Sequence, residues 1–323
     1  MIRAFKNSTS FGLAALVLAA GMAVAEDKRT PPPDLSGLSG QEAEAFYLGT
    51  NAIIWGYPEV LFEQLMRGRT SPDIVAKGNP QAAVNQFGLV RDLRGPEFKQ
   101  IATPNNDTIY AQSFVDVSRE PIVLSVPAVA APRYYTFQLW DPNGDTFGYI
   151  GSRTTGREAG NFAFVGPDWQ GELPEGVTRI DTPYNGMVIW GRIGVDGPED
   201  LQNALDIQDA LRLTPLSLFG TSEAQLPPDL AFSDARVAFE APGIPDDLML
   251  YAELANALRH TPPKAQDAVV AATLPQIGFS ADGTVFDPST LTDAQRSGLA
   301  KGAQFALHLM DVSSQTAGVG VNG

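Results

Sequence analysis

The stretch RYYTFQLWDPNGDTFGYI, residues 133–150, decides the fold. Two runs rich in aromatic and β-branched residues, Arg133–Trp140 and Thr146–Ile150, flank Asp141-Pro142-Asn143-Gly144-Asp145. Pro, Asn, Asp and Gly in that order make a tight turn, and the short link makes the two runs an antiparallel hairpin. Along the first run Tyr135, Phe137 and Leu139 alternate with Tyr134, Thr136, Gln138 and Trp140. A period of two puts the first set on one face of a strand and the second on the other. The apolar set is assigned to the core. Similar runs extend in both directions: Thr108–Val115, Ile122–Val126, Asn161–Val165 and Gly186–Ile193. Proline, glycine or Asn-Gly turns separate most of them, so the middle of the chain reads as short antiparallel strands.

Helical periodicity flanks this region. Ser39 and Glu42 have the spacing of a capping box, and Phe46, Thr50, Ile53, Tyr57, Leu61 and Leu65 follow at helical spacing, with a kink expected at Pro58. Pro198-Glu199-Asp200 opens a second helix, with Leu201, Ala204, Leu205 and Leu211 as its stripe. Residues 214–245 are loop-rich. Asp246–Leu258 and Ala265–Leu274 read as helices, and Thr292 with Gln295 caps a third that runs to about Val312. The class is α+β. The expected organisation is a leader at 1–25 and a proline-rich lead-in at 26–38. A β-rich domain at 39–215 follows, then a loop and helical region at 216–315 packing on it and a flexible tail at 316–323.

The first residues look like a secretory leader. Arg3 and Lys6 are followed by the apolar run Phe11–Ala20 and then Ala23-Val24-Ala25, small residues suited to cleavage before Glu26. The apolar stretch is too short to span roughly 30 Å of hydrocarbon. A periplasmic or secreted location is expected. The sequence has no cysteine, which leaves no residue for a lipid anchor or a disulfide. Its formal net charge is −15, with 37 acidic and 22 basic residues, and the leader carries no acid. Such acidity opposes nucleic acid and anionic membrane surfaces as partners. A small-molecule or saccharide ligand and a homo-oligomer stay compatible with it.

Several ordered words resemble a known family. These are Trp55-Gly56-Tyr57-Pro58, Thr103-Pro104-Asn105-Asn106-Asp107-Thr108-Ile109-Tyr110 and Ser125-Val126-Pro127. Arg133-Tyr134-Tyr135 with Gln138 and Asp141, Tyr149-Ile150-Gly151 with Arg153-Thr154-Thr155-Gly156, and Val165-Gly166-Pro167 with Trp169 continue the series. Together they resemble the domain of unknown function 1254, over about residues 45–215. The resemblance implies a mainly antiparallel, jelly-roll-like β-sandwich with an N-terminal helix and a helical C-terminal region, usually in exported bacterial proteins. It implies no agreed activity. Relatives commonly continue into a second β-rich domain, the domain of unknown function 1214. This chain stops at Gly323, about where that domain would begin.

The chemistry-bearing residues form a short set. His260 and His308 are the two histidines, and neither has metal-ligand spacing. Zinc and thiol chemistry therefore have little to work with. Gly318, Gly320 and Gly323 match a dinucleotide fingerprint only in letters, because no helix can follow them here. Asn105, Asn106 and Asp107 form the leading candidate site. They could coordinate calcium, Asp107 could act as general acid or base, or all three could simply fix a turn. Asp141 could face Asp107 across the sheet, as paired carboxylates on a glycoside would, or merely hold the hairpin. Tyr134, Gln138 and Trp140 would make a platform for a sugar or another ring, or a second buried layer. Arg133, Arg153 and Thr154 would clamp an anion, or pair with surface acids. Two readings follow. One is an envelope enzyme working by carboxylate acid–base chemistry on a small molecule or saccharide. The other is a non-catalytic binding or assembly module. Convergence of the named residues in one place favours the first, and dispersal favours the second.

Overall fold

The computed structural model describes residues 30–38, 40–95, 105–221 and 239–316, with side chains to 313. The leader, Ser39, Pro104 and the glycines of the C-terminal fingerprint lie outside the described residues. The chain divides into two compact units. Of the described residues, 62–95 and 105–221 form the first, and 30–61 and 239–316 the second. The 31-residue helix α1 (Gly40–Thr70) runs through the division and continues past Pro58.

The first unit holds nine strands in two sheets, so the mixed α+β class stands. One sheet contains β1 (Gly88–Val90), β2 (Thr108–Asp116), β4 (Tyr135–Trp140), β5 (Thr146–Gly151) and β8 (Gly186–Gly194), in the order β1-β2-β8-β4-β5, all antiparallel. The other contains β3 (Ile122–Val126), β6 (Gly160–Val165), β7 (Val177–Asp181) and β9 (Arg212–Pro215), in the order β7-β6-β3-β9. Here β6 and β7 run parallel, an exception to the antiparallel expectation. The link between them, residues 166–176, is long enough to carry the chain back to the same end of the sheet.

Alternation decides what each sheet buries. Ile109, Ala111 and Val115 of β2, Tyr135, Phe137 and Leu139 of β4, and Met187, Ile189 and Ile193 of β8 share one hydrophobic cluster. Ile122, Leu124 and Val126 of β3, with Phe162 and Phe164 of β6, belong to the same cluster. The apolar face read from residues 133–140 is thus the core face. Gly191 sits in this layer because a Cβ there would lie 2.6 Å from the Phe137 ring and 2.7 Å from the Ala111 carbonyl oxygen. Helix α3 (Leu201–Ala210) adds Ala204 and Leu205 to the cluster. The end of α1 places Phe62 and Met66 against Val84, Phe114 and Val188 on the opposite face of the five-stranded sheet. A single turn, α2 (Pro72–Val75), follows α1.

The second unit is helical. It holds α1 to Leu61, α4 (Met249–His260), the short α5 (Ala268–Ala271) and α6 (Asp293–Thr316). Small residues let these backbones approach. A Cβ on Gly298 would overlap the Glu42 carbonyl oxygen, and one on Gly302 would lie 2.9 Å from the Phe46 carbonyl oxygen. The buried Tyr251 hydroxyl donates to the Leu299 carbonyl at 2.8 Å. Thr292 and Gln295 form the expected reciprocal cap: the Thr292 N–H donates to Gln295 Oε1 at 3.0 Å and the Gln295 N–H to Thr292 Oγ1 at 3.2 Å. The expected cap of Ser39 and Glu42 lies partly outside the described residues. Glu42 accepts from the Ser297 hydroxyl at 2.7 Å and from Lys301 Nζ at 2.9 Å.

Candidate functional site

The strand register builds the site. On the face of the five-stranded sheet away from the core, three rows lie side by side. Tyr110, Arg192 and Thr136 are directly opposed, followed by Gln112, Trp190, Gln138 and Tyr149, then by Phe114, Val188, Trp140 and Thr146. The third row is partly closed by Phe62, Met66 and Val84. The first two are dominated by polar and aromatic groups, most of them half-buried.

Ring geometry orders this face. Trp140 stacks on Trp190 with centroids 5.6 Å apart and planes 13° from parallel. Tyr110 meets Trp190 edge-on at 6.2 Å. The Asn105 N–H donates to the Tyr110 hydroxyl oxygen at 3.0 Å, which folds the turn before β2 back onto the first row. Gln138 Nε2 donates to Thr146 Oγ1 at 2.9 Å.

Several polar groups here stay unpaired. The Trp190 Nε1–H is buried without an acceptor. Thr108 Oγ1, in a side chain only 4% exposed, is also buried without a partner. Alternation puts Thr108 on the same face as Tyr110, one row beyond it and opposite Gly194. Among the described residues the side chains of Gln112, Thr136 and Arg192 make no hydrogen bond or ion pair. Buried polar groups are normally satisfied, so orphans gathered on one face mark a place where a ligand or ordered water completes the structure.

The residues named from sequence divide into two sets. Gln138 and Trp140 lie in these rows, Tyr134 lies at their edge, and Asn105 reaches them through its backbone. Arg153 is exposed, with its guanidinium 5.9 Å from the centre of the Tyr134 ring. The others are engaged elsewhere. Arg133 makes a two-pronged pair with Asp200, both contacts at 2.6 Å, and also donates to the Gly194 carbonyl. The Arg133 guanidinium holds the Asp200 carboxyl well below the usual carboxylate range. The Thr154 hydroxyl donates to the Tyr149 carbonyl at 3.0 Å, and the Thr154, Thr155 and Gly156 amides all turn onto the Gly151 carbonyl. Three of the amides of that turn are thus taken and unavailable to an anion.

Asp141 and Asp107 do not face each other. Asp141 Oδ1 accepts from the Asn143 and Asp145 amides at 2.9 and 3.0 Å, closing the hairpin turn. Asp107 lies at the other end of the sheet, where its carbonyl accepts from the Val195 amide. The β4 register separates these ends by the length of the strand, on the order of 20 Å at about 3.3 Å per residue. Asp107 and Asn106 are exposed before β2. Among the described residues no cluster of three or more His, Cys, Asp or Glu side chains is arranged to hold a metal ion.

Trp190, Arg192, Tyr110, Gln112 and Thr108 share this candidate face and were not named from sequence, yet a signal existed. Met187, Ile189 and Ile193 alternate with Val188, Trp190 and Arg192 as regularly as the residues of β4 do.

Comparison with known proteins bears on family and fold. Residues 84–215 match the family model described as protein of unknown function (DUF1254). Among solved structures, the crystal structure of the VPA0106 protein from Vibrio parahaemolyticus is similar at a TM-score of 0.60 and 23% identity. The likeness covers 84% of this chain, and this chain spans 60% of that one. It bears on the fold alone. An uncharacterized protein from Burkholderia cenocepacia aligns over 42% of this chain and 36% of its own, at 11% identity and a TM-score of 0.28. No match is found among curated proteins. Over residues 84–215 the chain matches the DUF1254 family of proteins of unknown function.

Proposed function

We propose that the β-rich unit is a non-catalytic module that binds a small ring-bearing ligand, a saccharide, on the outer face of the five-stranded sheet. The observation that carries this is the row Gln112–Trp190–Gln138–Tyr149, with the stacked Trp140 beside it. Aromatic faces receive the apolar side of a sugar ring, and side-chain amides bond its hydroxyls in pairs. The two sheets then act as a sandwich that supplies a rigid floor, since their inner faces share one core. Nothing in the rows requires a chemical step.

The carboxylate enzyme draws less support. Asp141 is spent on its turn, and the pair would have to act from opposite ends of the sheet. Asp107 alone keeps a free carboxylate near the Asn105 turn, and calcium there would find one acid among amides. Replacement of Asp107 by Asn tests it directly: loss of a hydrolytic activity of the purified protein supports catalysis. The exported location rests on the leader at 1–25. No helix among the described residues is long and apolar enough to cross a membrane.

Tryptophan fluorescence tests the binding reading. Titration of the full chain with neutral and acidic mono- and oligosaccharides should give a saturable change that Trp140→Ala and Gln138→Ala each weaken. A chain whose emission responds to no sugar at millimolar concentration is not this module.

A further inference from the structure

The ligand face carries one full charge that the binding reading leaves unused. Arg192 stands in the middle strand, directly between Tyr110 and Thr136 and one row from the Trp190 ring. Most other arginines of this unit are engaged, although Arg69, half-buried at the end of α1, has no hydrogen bond or ion pair among the described residues either. Arg133 pairs with Asp200, Arg91 with Asp209 and Arg179 with Asp181. Arg157 donates to the Arg133 and Pro132 carbonyls, and Arg212 to the Asp209 and Leu211 carbonyls. In a chain with 37 acidic residues, a half-buried guanidinium with no ion pair or hydrogen bond among the described residues is conspicuous. Burying even part of a cation disfavours it unless something anionic or polar faces it. Thr108 supplies an independent sign. Its hydroxyl is buried and unpartnered in the row next to Tyr110.

We propose that Arg192 is an anion subsite and that the ligand is a carboxylate-bearing sugar of the hexuronate type. The inference rests on the binding reading above and narrows its ligand. A guanidinium presents a planar fork that fits a carboxylate with two parallel bonds. Thr136 and Thr108 would supply hydroxyls to the same group, since a hydroxyl can donate to a carboxylate oxygen. Gln112 and Gln138, one row on, would take ring hydroxyls, while the Trp190 and Trp140 rings lie alongside. Charge sorts partners in the same way. A strongly acidic surface repels anions generally, so an acidic sugar gains purchase here only where a cation stands unneutralised.

Sodium D-glucuronate and D-glucose, titrated by tryptophan fluorescence into the wild-type chain and into Arg192→Gln, test the proposal. Glucuronate should bind about tenfold or more tightly than glucose at low salt, the range expected for a bond to a charged group. That preference should shrink as sodium chloride is added. Arg192→Gln should abolish the preference, weakening glucuronate binding far more than glucose binding. Arg192→Lys, which keeps the charge but not the fork, should retain part of it and gives the readout if the Gln variant does not fold. Equal affinity for the two sugars in the wild type, or a preference that survives in Arg192→Gln, overturns the anion subsite while leaving the binding module standing. Sodium benzoate that binds where glucuronate does not overturns the sugar assignment. Binding of none of these overturns the module itself.

Discussion

Replacing Thr108 by valine should stabilise the β-rich unit, although it removes a polar group from a β-strand. Thr108 is 4% exposed, and its Oγ1 is buried without a hydrogen-bond partner. Valine has nearly the same shape, so no cavity forms and the neighbours need not move. A hydroxyl taken from water without a replacement bond costs about 1–3 kcal/mol on mutational scales. Removing that cost, with the full shape kept, predicts a gain of about 1 kcal/mol. For a unit of this size the gain corresponds to a rise in melting temperature of about 2–4 °C. In urea it moves the midpoint upward and leaves the slope unchanged. The assay is equilibrium unfolding followed by tryptophan emission, in wild type and variant side by side. If the hydroxyl is kept for a ligand, the same variant should bind sodium glucuronate more weakly. Stability and affinity would then move in opposite directions, as they do where a site is maintained at the expense of the fold. A Thr108→Val chain destabilised by about 1 kcal/mol or more refutes the reasoning, since that is the signature of a hydroxyl that had a partner.

Other expectations follow from packing and charge. Gly191→Ala should cost about 1–3 kcal/mol, because its Cβ would press on the Ala111 carbonyl, which cannot swing aside as a side chain can; chemical denaturation that finds no loss would contradict the close approach. Gly298→Ala should loosen α1 from α6 in the helical unit by a comparable amount, read as earlier loss of helical circular dichroism on heating. The Asp282 carboxyl accepts from the Ser280 hydroxyl and from Thr284, which lowers it to about 2. Its contribution to stability is therefore complete above the ordinary carboxylate value of 3.8 and fades as pH falls toward about 2. A carbon NMR titration placing its midpoint at or above 3.8 would remove that contribution. Burial among the aromatic side chains of the helical unit raises the Tyr251 phenol well above its usual 10.0, so its ultraviolet ionisation signal should still be missing once the pH has passed that ordinary phenol value.

Residues 133–150 show how much was legible. Period-two alternation and an Asp-Pro-Asn-Gly-Asp turn give the hairpin, its buried face and its outer face, because both signals are local. Ile122–Val126 is read to the residue for the same reason. Three of the four edge strands were not legible. β1 has three residues, β7 is largely exposed with no apolar alternation, and β9 opens on an arginine. Their pairing is set by neighbours distant in sequence, which no local window contains.

The candidate face was legible in part. Gln138 and Trp140 were found because they lie on the strand where alternation is clearest. Trp190 and Arg192 were missed because an isolated tryptophan or arginine in a strand says nothing until its register is known. Only the pairing of β8 with both β2 and β4 sets Arg192 between Tyr110 and Thr136. Asp141 and Arg133 misled for the opposite reason. Both are strongly functional types by composition, yet one closes a turn and the other pairs with Asp200, a residue 67 positions away.

The claim that the outer face is a ligand site is tested most directly at the indole N–H groups. A chain labelled with nitrogen-15 at tryptophan gives one indole resonance for each of its four tryptophans, assignable with Trp190→Phe and Trp140→Phe. Addition of sodium glucuronate should move the Trp190 and Trp140 resonances and leave those of Trp55 and Trp169 in place. A Trp190 resonance that stays fixed while the sugar binds would contradict the account.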